Sequence, residues 1–164
     1  MSDFKTNLND NRLAEEAAHG LDGVIDKTDP KHSKHLYGLV VQYEDIDAGG
    51  IVYHSTYLNF AERARSALLR ASKFDVQYWL AEENQGFVIT HIETDYLSPA
   101  KLHNRLIVET SCPHLGGASA LLQQNINSFD RGHIFARVMV KAAWVDVELG
   151  PRKFPEPLQM VLRS

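Results

Sequence analysis

Between residues 43 and 57 the chain reads Tyr43-Glu44-Asp45-Ile46-Asp47-Ala48-Gly49-Gly50-Ile51-Val52-Tyr53-His54-Ser55-Thr56-Tyr57. Three carboxylates, a glycine pair, a histidine and three tyrosines fall within these fifteen residues. A carboxylate in such a setting is a candidate catalytic group. Gly49 and Gly50 let the main chain approach a ligand closely. A helix starting near Ser55 would add unpaired N–H groups and a positive dipole end, which suit a developing oxyanion. The same composition also describes an ordinary turn, in which Asp and Gly are common and Asp near a helix start is only a favourable charge. On composition alone both readings stay open.

Other chemistry is weaker. His32 and His35 lie three apart without further close ligands, so no metal site is read. No phosphate loop, dinucleotide fingerprint or serine nucleophile elbow is present, and no cofactor is expected. Cys112, the only cysteine, falls in an apparent strand and reads as a small buried residue rather than a nucleophile.

The elements that must position the acidic segment follow from hydrophobic spacing. Leu36 to Tyr43 reads as a strand. Ser55 to Ser72 reads as a long helix with Ser55 as N-cap, its apolar stripe running through Tyr57, Phe60, Ala61, Ala64, Ala67, Leu68 and Ala71. A short helix follows over Val76 to Glu83, with Tyr78 and Trp79 inward. Phe87 to Leu97, Arg105 to Cys112, Ser119 to Phe129 and His133 to Val147 read as four strands. Gly116-Gly117 and Asp130-Arg131-Gly132 are spaced for antiparallel hairpins. The order predicts an α+β domain, a five-stranded antiparallel sheet curled round one long helix. Residues 1–35 are expected as a mobile N-terminal extension. A docking helix over Asn11 to His19, with Leu13, Ala17 and Leu21 on one stripe, is the sharper alternative. Residues 36–150 form the expected domain and residues 151–164 a C-terminal tail.

At 164 residues, with 44% hydrophobic and 23% charged side chains, the chain fits one globular domain with a sizeable core. A formal net charge of −4 argues against a nucleic-acid partner. No apolar run approaches the ~20 residues of a membrane span. The N-terminus does not lead into a secretory signal, so the translated chain is expected to be the mature one. A lone cysteine is expected in the cytoplasm.

The order Tyr-x-Asp-x-Asp-Ala-Gly-Gly-Ile-Val-Tyr-His-x-x-Tyr, with Glu62-Arg63-Ala64-Arg65 after it, resembles the 4-hydroxybenzoyl-CoA thioesterase family of hotdog-fold enzymes. Within that family it is similar to the acyl-CoA thioesterases associated with the bacterial Tol–Pal envelope system. The resemblance runs from about Leu36 to Val147 and implies a hotdog fold and hydrolysis of acyl-CoA to free acid and CoA. It puts the catalytic aspartate at Asp47 and its companions at Tyr43 and His54. It also implies that a backbone N–H near the helix start, best matched by that of His54, polarises the thioester carbonyl. Lys101 and Ser119 fall in regions that hold CoA in the family, and Arg152 with Lys153 is a further candidate for its phosphates. Asp45 is read as shaping the loop and Glu62 as pairing with an arginine.

The resemblance implies a homodimer or homotetramer with sites at the subunit interface, and an acyl carrier protein or a Tol–Pal-related protein as an additional partner. Two rivals remain at this stage. A hotdog dehydratase would depend on Glu62 rather than Asp47. A non-enzymatic scaffold binding an acyl carrier or envelope protein would have no need of the Asp47–His54 motif.

Overall fold

The computed structural model describes residues 12–18, 20–29 and 33–163. His32 and residues 1–11 of the N-terminal extension lie outside the described residues.

The long helix, α2 (Thr56–Ala71), buries Tyr57, Phe60, Ala61, Ala64, Ala67 and Leu68 along its apolar stripe. Three alanines bring helix and sheet close together, while Phe60 and Leu68 fill the space toward the two ends. Each side chain of that size contributes about 1.5–3 kcal/mol on full burial. Ser55, expected as the N-cap, has helical dihedrals (φ −73°, ψ −21°) and makes no capping bond.

The sheet that wraps this helix comprises β1 (Val24–Asp26), β2 (Lys34–Val40), β3 (Gln85–Tyr96), β4 (Arg105–Leu115), β5 (Ser119–Ser128), β6 (Ile134–Asp146) and β7 (Gly150–Pro151). Its order is β1-β2-β4-β5-β6-β3, with β7 against β6, and every pairing is antiparallel. The five expected long strands are all present. The two additional ones are too short to show an alternation in the sequence. Both glycine-bearing turns connect neighbouring strands, β4 to β5 and β5 to β6. Along β6 the alternate residues Ala136, Val138, Val140, Ala142 and Trp144 are buried, as period-2 geometry requires. The first long strand stops at Val40, and Tyr43–Asp45 forms a 3₁₀ turn instead.

Helix α3 (Val76–Glu82) is capped by Asp75, whose carboxylate accepts the Tyr78 N–H at 3.0 Å. Trp79 stacks on Phe74 and meets Trp144 edge-on. Tyr78, expected inward, is exposed, and its hydroxyl donates to Glu83 at 3.2 Å. Adjacent residues of a helix do not share a face.

Within the N-terminal stretch, residues 12–18 form α1. Its Leu13, Ala14 and Ala17 cluster with Leu36 and Ile107, on the side of the sheet away from α2. A Cβ on Gly38 would stand 2.6 Å from Cα of Ala18, so glycine at 38 lets α1 lie flat on β2. Leu21, placed on the same stripe by its spacing, lies beyond the helix and is exposed. At the other end, residues 156–163 form α4 (Glu156–Arg163). Phe154, Leu158 and Leu162 join the main core beside Trp144. Pro157 sits in the first turn of α4, where a missing N–H costs nothing.

Candidate active site

The acidic segment folds into a tight turn closed by its own main chain. The N–H of Asp47 donates to the Ile51 carbonyl at 2.9 Å, and the N–H of Gly50 to the Asp47 carbonyl at 3.0 Å. Gly50 has φ +77°, a conformation that favours glycine. Oδ1 of Asp47 accepts the Gly49 N–H at 2.7 Å. A Cβ on Gly49 would lie 3.0 Å from that oxygen. The turn therefore fixes one carboxylate oxygen and leaves the other free of hydrogen-bond donors among the described residues.

Asp45 is buried, and its carboxylate accepts the Gln42 N–H at 2.7 Å, so it shapes the approach to the turn as expected. Its carbonyl accepts the Tyr53 N–H at 2.9 Å, which carries the chain back toward α2. No acceptor among the described residues takes the N–H of His54 or Ser55. These two groups stand at the start of α2, where the helix dipole is positive.

Asp47 and His54 line one pocket of about 430 Å³, with Tyr53, Tyr57, Tyr96 and Ser98 among its other walls. The His54 ring lies 4.3 Å from that of Tyr53 and edge-on to Tyr96. Two long-range bonds hold the wall together. The Tyr96 hydroxyl donates to the His54 carbonyl at 3.0 Å, and the Tyr57 hydroxyl accepts the Ala100 N–H at 3.0 Å. Burial pushes the Tyr57 phenol above its ordinary pKa, opposed by the Ala100 bond, so it stays protonated. Sequence reasoning missed Tyr96 and the hydroxyl of Tyr57. The bulge between Ile89 and His91 shifts the alternation of β3 and turns Tyr96 to the inner face opposite Ala136, and nothing local reveals its partner 42 positions away.

The remaining expected residues are dispersed. Tyr43 is 81% exposed in the 3₁₀ turn, and no hydrogen bond joins it to Asp47. Lys101 pairs through its main chain with Ile51, which sets it beside the acidic turn with its side chain exposed. Ser119 is at the far end of the sheet. Tyr96 pairs with Ala136 and Ala136 with Ile126, so Ser119 stands seven residues along β5 from that level, ~23 Å at 3.3 Å per residue. Arg152 and Lys153 share that far end, since the following Phe154 N–H donates to the Gly117 carbonyl. Glu62 pairs with Arg65, which also donates to Gln124 at 2.6 Å, and Ser66 bonds the other Glu62 oxygen at 3.2 Å. Burial raises the Cys112 thiol to about 11, which keeps it protonated and unreactive.

One long helix cradled by an antiparallel sheet, with an acidic turn leading into the helix start, is the hotdog architecture. A family model described as the thioesterase superfamily matches residues 49–134. The acyl-CoA thioesterase YbgC of Haemophilus influenzae is 39% identical over 120 residues, 73% of this chain and 87% of that protein. The acyl-CoA thioester hydrolase YbgC of Escherichia coli O6:H1 is 32% identical over 118 residues, 72% of this chain and 87% of that one. A probable thioesterase from Bartonella henselae superposes with a TM-score of 0.69 at 31% identity, covering 74% of this chain and 99% of the other. The chain belongs to the thioesterase superfamily.

Proposed function

We propose that the protein hydrolyses acyl-CoA thioesters to the free acid and CoA, with Asp47 as the reacting carboxylate. The observation that carries this is the shared pocket of Asp47, with one carboxylate oxygen unengaged, and His54, whose N–H at the start of α2 has no acceptor, both among the described residues. The carbonyl oxygen sits against that N–H. Asp47 then either adds to the carbonyl carbon or removes a proton from an attacking water. The tetrahedral intermediate expels CoA as thiolate. In the first route water then cleaves the acyl–aspartyl anhydride, and in both the acid leaves with one oxygen from water. The His54 ring lines the same pocket as the carboxylate and receives a proton. Tyr43, which the sequence resemblance would have hold Asp47, is exposed in the 3₁₀ turn and makes no hydrogen bond to Asp47 within one chain.

β3 is unpaired along one side among the described residues and exposes Val88, Ile89, Ile92 and Tyr96. Two copies join along this edge, and dimers pair further into tetramers. An antiparallel β3–β3 pairing brings the Ser119 and Arg152–Lys153 end of one subunit toward the Asp47 end of the other, while Lys101 acts on its own side. CoA is held by both. Cys112 as a free thiol fits a cytoplasmic location, and an acyl carrier protein or a Tol–Pal-related protein remains the partner that the sequence resemblance suggests. The dehydratase reading is weaker, because Glu62 is engaged by Arg65 and Ser66.

The test is thiol release from short, long and aromatic acyl-CoAs by the wild type and by Asp47→Asn. The amide keeps an oxygen for the Gly49 N–H, so the variant folds. A loss of at least a hundredfold, roughly 2.7 kcal/mol of transition-state stabilisation, is expected. Unchanged turnover in the variant moves the chemistry elsewhere, and an inactive wild type removes the thioesterase reading.

A further inference from the structure

Along the C-terminal half of α2, two spaces run end to end. The outer one is a groove of about 750 Å³ rimmed by Arg70, Lys73, Asp75 and Gln77. It narrows past Glu62, Ser66, Leu69 and Phe87, walls that it shares with an inner cavity of about 170 Å³. Past Arg65, the inner cavity continues on the apolar side chains Leu68, Ile89, Leu122, Ala142 and Leu162. Behind it lies a third space of about 20 Å³ bordered by His35 and Cys112. Leu68, Leu122 and Leu162 line both the inner cavity and this third space, so they are the partition between them.

An open groove with a charged rim over Phe74, Val76, Leu80 and Phe87 leads to a smaller, mostly apolar blind end, which fits a hydrocarbon chain. We infer that the inner cavity receives the acyl chain of the thioester and that Leu162 sets the length it admits, an inference that rests on the thioesterase reading above. Leu162 belongs to the last turn of α4 and lies beyond residues 49–134, whereas Leu68 and Leu122 fall within that matched span. The chain-length limit is thus supplied by a segment outside the part shared with the family model. With β3 strands paired antiparallel, the Phe87 end of one subunit meets the Tyr96 end of the other, which sets the cavity of one beside Asp47 of the other. An acyl chain that fits ends against the partition. A longer one has to displace packed leucines, and a single methylene at such a wall is worth about 10-fold or more in kcat/KM.

The experiment measures kcat/KM for saturated acyl-CoAs of increasing length with the wild type, Leu162→Ala and Leu162→Phe. Leu162→Ala joins the inner cavity to the space behind it, and the optimum moves to longer chains, with the long-to-short ratio rising about 10-fold. Leu162→Phe moves it the other way. If the alanine variant does not fold, Leu162→Val supplies the same direction at smaller size. An unchanged optimum in active, folded variants overturns this inference and leaves the thioesterase reading standing. That result, together with altered dimer affinity, identifies side chains of a second copy as the occupant. A wild type inactive on every chain length overturns both.

Discussion

The hydroxyl of Tyr96, on the edge strand β3, donates to the main-chain carbonyl of His54 at 3.0 Å. The bond ties the outermost long strand to the start of the central helix and fixes the tilt of the peptide that follows His54. The two N–H groups without acceptors among the described residues, on His54 and Ser55, flank that carbonyl. In the proposed mechanism Tyr96 is therefore a positioning residue for the oxyanion site. Tyr96→Phe keeps the edge-on ring contacts with His54 and Tyr57 and removes only the hydroxyl. A net 0.5–1.5 kcal/mol corresponds to a fall in kcat of about 2- to 10-fold. KM should hold steady, and a rise in KM with kcat unchanged would argue that Tyr96 binds substrate instead.

The free side of β3 predicts a self-associating protein. Light scattering should report a dimer or a tetramer. Lysines at Val88 and Ile92 place charge on the edge and should shift the protein toward monomer, with loss of turnover if the site spans two subunits. A fully active monomer would refute the shared site.

Gly38 sets how α1 is seated. In Gly38→Ala the new methyl meets Cα and N of Ala18 within 3 Å, so α1 must shift off β2. Overpacking of this kind costs about 1–3 kcal/mol. Limited proteolysis should then cut within residues 12–26 while the rest of the domain resists. Equal resistance in both proteins would mean that α1 adjusts without leaving.

His35 makes the stability depend on pH. Its ring is buried, and desolvation lowers its pKa from the ordinary histidine value; the hydrogen bond to the Asp22 carbonyl and the Asp22 charge partly oppose this, and Arg70 adds to it. Nε2 lies 2.7 Å from the Asp22 carbonyl, and Nδ1 is buried with no partner among the described residues. The unfolded chain takes up the proton first. The contribution of neutral His35 is then fully present above about pH 6.5 and is lost as the pH falls below it toward the lowered native value. Denaturant midpoints between pH 7.5 and 5 should drop for the wild type and drop less for His35→Gln. Parallel curves would exclude His35 as the source.

What the sequence disclosed about the site depended on range. The Asp47 turn closes through hydrogen bonds between residues at most four apart, so Asp and Gly in that order were enough to read it. Helix α2 declared itself through a 3.6-residue stripe that the structure buries almost position for position. The pairing of Tyr96 with His54, by contrast, needs the sheet to be assembled before the two meet. The seat of α1 depends on a missing Cβ at Gly38, which leaves no hydrophobic signal at all. Helix α4 was hidden by Pro151, Pro155 and Pro157, although only Pro157 lies within it and it occupies the one turn that tolerates it. Tyr43 entered through family resemblance alone, and its exposed position gives it no contact with Asp47 within one chain.

The strand order has a consequence for how the protein acquires activity. β4, β5 and β6 are joined by short turns and occupy the middle of the sheet, so their contacts are local and close early. β2 and β3, which lead to the acidic turn and carry Tyr96, pair with strands much further along the chain. Their loop-closure entropy is met only once the central meander offers an edge. During refolding, secondary structure should therefore return before turnover does, because the pocket is the last part of the molecule to be put together.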